Sequence, residues 1–421
     1  MASKAHSSKR WGHGCAALAV PNFRRYVGGQ SLSLIGTWVE TVAQGLLVLR
    51  LTHSGLWLGL TTAARYGPIL VLSPYAGLLV DRLPKRRVLL VTQAGLATVS
   101  LVLGLAVLTG VVRLWQVFVL AVAFGTFSAV DNPARQAFVS EMVGPSLVPD
   151  AVTLNSTLVN VARVVGPAIA AVVVGSIGIG WCFIVNAVSF LFVIASLLAL
   201  DTKQLHPSPP SGRAPRQLRD GLHYAAGVPD IILPLAMMAV VGTFAFEFEV
   251  SLPLLGEDTF HGGAAAYSWL LGAFGAGAVM GGLYAAGKAW TGVGRLSWVA
   301  GGYALAMGLL AAMPELWSAV AACTLVGLAT ILFLATGNAT VQLASDPRYR
   351  GRVMALWSMA LVGSTPIGSP IIGALSSIFN ARVGVAVGAV GCAVAAAIGR
   401  WGTVSVRGSG QPPDGRRSPG L

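Results

Sequence analysis

The chain has 421 residues, a mean hydropathy of +0.74, and is 55% hydrophobic with only 10% charged residues. No soluble domain of this length has that composition; long apolar runs of this kind are membrane spans. A net charge of +13 would point to nucleic acid in a soluble protein. Here the cations fall in short loops between apolar runs, so orientation in a bilayer accounts for them and no nucleic-acid partner is implied.

Taken in order, a basic N-terminal tail (residues 1–25) with Lys4, Lys9 and Arg10 precedes the first span. Its apolar stretch stops at Pro21, too short for a cleavable signal. Twelve apolar segments of spanning length follow: Tyr26–Leu51, Leu56–Val80, Val88–Val111, Leu114–Ala129, Ala151–Ile177, Trp181–Leu200, Ile231–Leu255, Tyr267–Gly287, Leu296–Met313, Leu316–Asn338, Val353–Phe379 and Val383–Trp401. The fourth is the weakest, because polar residues begin at Ser128. The longest polar break, 201–229, carries five prolines and reads as a flexible linker between two six-helix halves, 26–200 and 230–402. The tail 403–421 is rich in Gly, Pro and Arg and reads as disordered.

Lysine and arginine orient the spans. Arg24, Arg25, Arg82, Lys85, Arg86, Arg87, Arg135, Lys203, Lys288, Arg295, Arg348, Arg350 and Arg352 fall on one side; only Arg50, Arg113 and Arg382 fall on the other. The basic side is expected to be cytoplasmic, and an even number of spans puts both termini there. The expected location is the cell membrane. Cys15, Cys182, Cys323 and Cys392 are scattered, and neither they nor the histidines show metal-site or disulfide spacing. No metal or cofactor is expected.

The hinge Gly77-Leu-Leu-Val-Asp81-Arg82-Leu-Pro84-Lys85-Arg86-Arg87 joins the second and third segments. It resembles the cytoplasmic loop motif of the major facilitator superfamily. Gly77, Leu79, Asp81, Arg82, Lys85 and Arg86 match in register, and Pro84 stands where the family has a second glycine. Asn22-Phe-Arg-Arg25, Ser33-Leu-Ile-Gly-Thr-Trp38, Asp131-Asn-Pro-Ala-Arg135-Gln136 and Gly351-Arg-Val-Met-Ala355 resemble its branch of drug and siderophore exporters, of enterobactin-exporter and macrolide-efflux type. The resemblance implies an all-α membrane protein with twelve transmembrane helices in two six-helix bundles, and a monomer that holds both halves of the transport unit. One departure stands out: segment four lacks the buried arginine that many proton-driven members carry there. Within the chain, Val165-Gly166-Pro167 in segment five parallels Gly368-Ser369-Pro370 in segment eleven. A parallel six-helix repeat accounts for this, with a substrate site between the halves. Gly282-Leu283 near Lys288 is a decayed second copy of the loop motif, with Ala286 where Asp81 stands.

Several residues could carry a mechanism. Asp81 is expected to cap the start of segment eleven, near Arg352, when the protein faces outward. Arg82 or Arg86 would pair with Asp131, next to Arg135. A purely topological role fits Lys85 and Arg87 but not an acid in a basic loop. Ionisable side chains inside spans are costly and usually functional. Glu40 and Arg65 sit at similar depth, about 10 residues or roughly 15 Å from the outer ends of their hairpin. They are either a structural ion pair or, if unpaired, a proton carrier and its neighbour. Arg163 lies mid-depth before Gly166-Pro167 and needs a partner or a watery cavity. Glu247 and Glu249 alternate with Phe residues in the outer half of segment seven and point to different helix faces. Glu249 also fits a simple headgroup-level position. Gly166, Pro167, Gly368 and Pro370 permit close approach and bending, although ordinary tight packing of small residues reads the same for any one of them.

These residues point to a secondary transporter that moves protons against a small amphiphilic substrate by alternating access. The resemblance favours export; an uptake permease has the same fold. There is no GxxxxGK[ST] motif and no soluble domain for ATP. A membrane enzyme would need a catalytic cluster and a sensor a soluble domain, and the sequence shows neither.

Overall fold

The computed structural model describes residues 16–206, 217–285 and 290–408. The first span is α1 (Pro21–Thr52), followed by α2 (Gly55–Arg82), α3 (Lys85–Leu108), α4 (Leu114–Val143), α5 (Val148–Ser176) and α6 (Ile179–Leu198). The second half contains α7 (Gln217–Ala226), α8 (Pro229–Ala245), α9 (Phe248–Leu254), α10 (Gly263–Ala285), α11 (Val293–Ala312), α12 (Leu316–Ala344), α13 (Arg350–Val362), α14 (Thr365–Ile378) and α15 (Ala381–Gly408). Among the described residues eleven stretches are long and apolar enough to cross a membrane, and α2, bent by 57° around residue 74, makes a twelfth. α8 with α9 and α13 with α14 each make one span. The protein is an all-α, multi-pass membrane protein of two six-helix bundles, as expected.

Four differences from the sequence reading have local causes. The fourth span continues through the polar residues after Ser128 to Val143, because Asp131 finds partners inside the bundle instead of ending the helix. The seventh span is broken at Phe246–Glu247. The amides of Val250 and Ser251 restart the ladder on the Glu247 carbonyl, while the Tyr303 hydroxyl takes up the freed Ala245 carbonyl at 3.2 Å. The eleventh span is broken at Gly363–Ser364. Pro366 has no amide proton and sits in the first turn of α14, where none is needed. Finally, part of the linker is ordered. α7 docks on the approach to α13: Tyr224 stacks on Tyr349 at 4.3 Å, and its hydroxyl accepts from the Asp346 amide at 3.0 Å. α15 continues to Gly408, past the point at 403 where the tail was expected to begin. Residues 1–15 with Lys4, Lys9, Arg10 and Cys15, the linker residues 207–216, residues 286–289 with Ala286 and Lys288, and the tail from residue 409 lie outside the described residues.

The loop cations do structural work within the first bundle. Arg86 donates to the carbonyls of Leu197 (2.7 Å) and Leu198 (3.3 Å), and Arg25 to that of Ala199 (3.2 Å). They cap the end of α6, where the helix dipole favours positive charge. Lys85 pairs with Glu141 at 3.4 Å.

The bundles meet along the half of the membrane away from the basic loops. There α2 and α14 touch backbone to backbone: a methyl built at Gly59 would lie 2.1 Å from the Ser369 carbonyl oxygen, and one at Gly373 would lie 2.2 Å from that of Gly55. The Leu56 amide donates to Ser377 at 3.0 Å across the same contact. Towards the basic loops α5 presents a polar stripe at helical spacing, Ser156, Asn160 and Arg163. Ser156 is exposed, whereas Asn160 and Arg163 are half-buried. Exposure thus falls along this stripe from the basic end towards mid-membrane, while at the other end α2 and α14 are in backbone contact.

Candidate functional site

The ionisable side chains singled out in the sequence divide into two groups. Glu40 lies inside the first bundle, 2% exposed. One carboxylate oxygen accepts from Ser100 on α3 at 2.5 Å and from Asn186 on α6 at 2.6 Å. Arg65 donates instead to Gln44 at 2.6 Å, and its guanidinium lies 4.1 Å from the Phe124 ring centroid. The two therefore form no ion pair with each other. Glu40 holds three helices of one bundle together, and Arg65 faces the bundle interface.

The second group spans that interface. Tyr66, beside Arg65, donates across it to Glu249 at 2.7 Å. Together with Thr41, Gln44, Thr61, Thr62 and Arg65, Glu249 lines a small cleft of about 10 Å³, no more than a single water needs. On the other flank Arg163 lies 5.0 Å from the Trp38 ring and 5.8 Å from the Phe274 ring, one from each bundle. Its Nε is buried and has no hydrogen-bond partner among the described residues. Glu249 is within electrostatic reach of Arg163, of Glu247 and of Tyr267.

Glu247 occupies the break between α8 and α9. It is 2% exposed, and among the described residues neither of its carboxyl oxygens has a hydrogen-bond partner. The two helix breaks adjoin here: a methyl at Gly242 would strike Ser364, and one at Gly368 would strike the Thr243 carbonyl and the Glu247 carboxyl. Gly368 thus makes room for the acid. Gly166 plays the same part in the first bundle, where a methyl would lie 2.4 Å from Cβ of Trp38. Pro167 and Pro370 lie inside α5 and α14, each next to such an approach.

The loop motif is arranged differently from expectation. Asp131 accepts from Thr92 at 2.8 Å and Gln93 at 2.9 Å and pairs with Arg135 at 3.6 Å. Arg86 is engaged at the end of α6, so it does not pair with Asp131, and Arg82 is exposed. The cause is length: α4 runs past Asp131 and buries it beside α3, one helical turn and more away from the loop. Asp81 is half-buried in the last turn of α2, and Gly77 is buried one turn earlier. Sequence reasoning missed Gln44, Tyr66, Tyr267 and Asn186. Gln44 and Tyr66 were findable, because Gln44 is one turn from Glu40 and Tyr66 adjoins Arg65. Among the described residues no three His, Cys, Asp or Glu side chains converge as a metal site.

Residues 13–409 match the family described as transmembrane secretion effectors. The chain belongs to that family, within the major facilitator superfamily. The enterobactin exporter EntS of Escherichia coli is 24% identical over 364 residues, 86% of each chain. The staphyloferrin A transporter of Staphylococcus aureus is 29% identical over 175 residues, 41% of this chain and 44% of that protein. An uncharacterised transporter of the superfamily from Bacillus subtilis, YfiS, is 26% identical over 274 residues, 62% and 64% of the two chains. The chain thus spans under half of the staphyloferrin A transporter and just under two thirds of YfiS. Among solved structures, a bacterial homologue of the human lysosomal transporter Spinster, inward-facing and unoccupied, superposes with a TM-score of 0.71 at 16% identity, covering 96% of this chain and 99% of that one. The nucleoside transporter NupG gives 0.70 at 10% identity, covering 92% and 98%. The family member is a major facilitator transporter with the fold of that superfamily.

Proposed function

We propose that this transporter exports small amphiphilic compounds, such as siderophores, drugs or secondary metabolites, from the cytoplasm by proton-coupled alternating access. It acts as a monomer in the cell membrane, with both termini cytoplasmic, and it is not an enzyme. The observation that carries the reading is Glu247. An ionised carboxylate sealed from water without a donor costs several kcal/mol; a carboxyl that has accepted a proton does not. In this reading Glu247, at the helix break, is the group that takes up and gives up the proton. Opening the far end, by separating α2 from α14 and α9 from Tyr66, would rehydrate the helix break and exchange its proton with the outside.

The substrate enters from the basic, cytoplasmic end along the polar stripe of α5 and reaches Arg163 between Trp38 and Phe274. Charge from Arg163 and flat apolar faces from the rings suit an amphiphile. Export is favoured by the kinship with the protein named as the enterobactin exporter. Asp81 and Arg352 are assigned to a gate at the basic end. The experiment is uptake of a fluorescent substrate into inside-out vesicles under an imposed proton gradient. Glu247→Gln is expected to remove the gradient dependence while leaving downhill flux. Gradient dependence equal to wild type would place coupling elsewhere.

A further inference from the structure

Arg163 sits at mid-depth in α5 without a counter-ion. Among the described residues it forms no hydrogen bond and no ion pair, and its Nε is buried. Glu249 is within electrostatic reach but not in contact, and its carboxylate already accepts from Tyr66 at 2.7 Å. Arg65 differs: it is committed to Gln44 at 2.6 Å and to the Phe124 ring. The rings of Trp38 and Phe274, 5.0 and 5.8 Å from the Arg163 guanidinium, attract its charge but offer no lone pair to its N–H groups.

The backbone fixes this charge where the bundles meet. A methyl built at Gly166 would lie 2.4 Å from Cβ of Trp38, and one at Gly275 of α10 would lie 2.8 Å from Cγ2 of Val164 and 3.3 Å from the Arg163 carbonyl oxygen. These two glycines let α5 lie close against α1 and α10, so Arg163 stands at a junction of three helices, two from one bundle and one from the other. An uncompensated cation inside a span is costly and is ordinarily paired. Here the counter-charge has to come from outside the chain. A guanidinium favours a carboxylate, which it grips through two parallel N–H donors. A single cation matches a single negative charge, and the two rings beside it favour a flat apolar body attached to that charge.

We propose that the substrate is an aromatic monocarboxylate, its carboxylate paired with Arg163 and its ring system against Trp38 and Phe274. This rests on the transport reading above and narrows it. An uncharged amphiphile would leave Arg163 unpaired, and a cationic one would bring a second positive charge to it. The ligand touches a ring from each bundle, so both halves sense its presence.

The test is equilibrium binding to the purified full-length chain in detergent at neutral pH. The ligands share one aromatic body: naphthaleneacetate, naphthaleneacetamide and naphthylmethylamine. Wild type is expected to bind the anion roughly ten- to a hundredfold more tightly than the amide, and the amine least of all. Arg163→Gln should bring the anion down to the level of the amide, and Arg163→Lys should keep part of the preference. Because the ligand-free arginine has no partner to lose, Arg163→Gln should unfold at no lower a temperature than wild type. Equal affinity of wild type for all the ligands, no binding of the anion, or a preference that survives Arg163→Gln overturns the assignment. An unfolding temperature well below wild type overturns it too, by making Arg163 structural. Binding is read without a gradient or a membrane. Absence of export or of proton coupling in vesicles would therefore refute the transport reading and leave a measured anion preference standing, whereas a charge-blind site would do the reverse.

Discussion

Gly59→Ala tests whether the contact between α2 and α14 keeps that end of the molecule closed. The added methyl would lie 2.1 Å from the Ser369 carbonyl oxygen and 3.0 Å from the Pro370 Cα. Both are backbone atoms, so no side chain can rotate away, and the helices must part by about 1 Å or more to restore van der Waals contact. Overpacking of this kind costs about 1–3 kcal/mol, here levied only on the sealed state. The equilibrium should shift by roughly five- to 150-fold towards opening at that end. Alanine is itself the better helix former by about 1 kcal/mol, so folding should not suffer. A reporter cysteine at Thr61, buried at 2% exposure beside the seal, is placed in a chain whose native cysteines are replaced. Labelling with a membrane-impermeant maleimide on intact cells is then compared in Gly59→Ala and Gly67→Ala. Gly67 lies on the same helix, where a methyl meets nothing within 4 Å. Labelling at least fivefold faster in Gly59→Ala alone is the expected result. Equal rates in the two variants would refute the seal.

Tyr66→Phe removes the bond to Glu249 across the interface, a contact to a charged group worth about 1.5–3 kcal/mol. The same Thr61 reporter should therefore label roughly ten- to a hundredfold faster. Asn186→Ala deprives buried Glu40 of one of its two donors; a loss of about 1.5–3 kcal/mol should lower the unfolding temperature in detergent by a few degrees without changing reporter labelling. Asp81→Asn should insert normally in the membrane yet transport far more slowly in the vesicle assay. Arg163→Gln should raise KM for a charged substrate more than it lowers kcat, since the residue is read as holding substrate and not as coupling.

The twelve spans, the two halves and the superfamily were legible because composition and loop charge act locally and add up along the chain. Breaks and partners were not. Nothing in the sequence Phe246-Glu247-Phe248 announces an interrupted helix, because the break is stabilised by Tyr303 from another span. Glu40 and Arg65 share a depth but diverge, since Ser100, Asn186 and Gln44 compete for them from sites that helical spacing does not reveal. Arg86 looked like a gate residue because its register matched a motif. The nearest acceptors are backbone carbonyls more than a hundred positions away in sequence. The ionisable residues were found by their cost in the membrane, whereas their pairings depended on the packing of distant helices.

The linker sets a geometric limit on the transport cycle. At one end the His206 amide is tied to the Glu141 carbonyl of the first bundle at 2.8 Å, and at the other α7 is moored to Asp346 and Tyr349 of the second. The eleven peptide steps from His206 to Gln217 span at most about 38 Å when fully extended. In the proposed cycle this covalent length bounds how far the basic ends can swing apart. Shortening this stretch by a few residues would curb the widest opening before it disturbed any packed contact, and lengthening it would leave the stride to the helices alone.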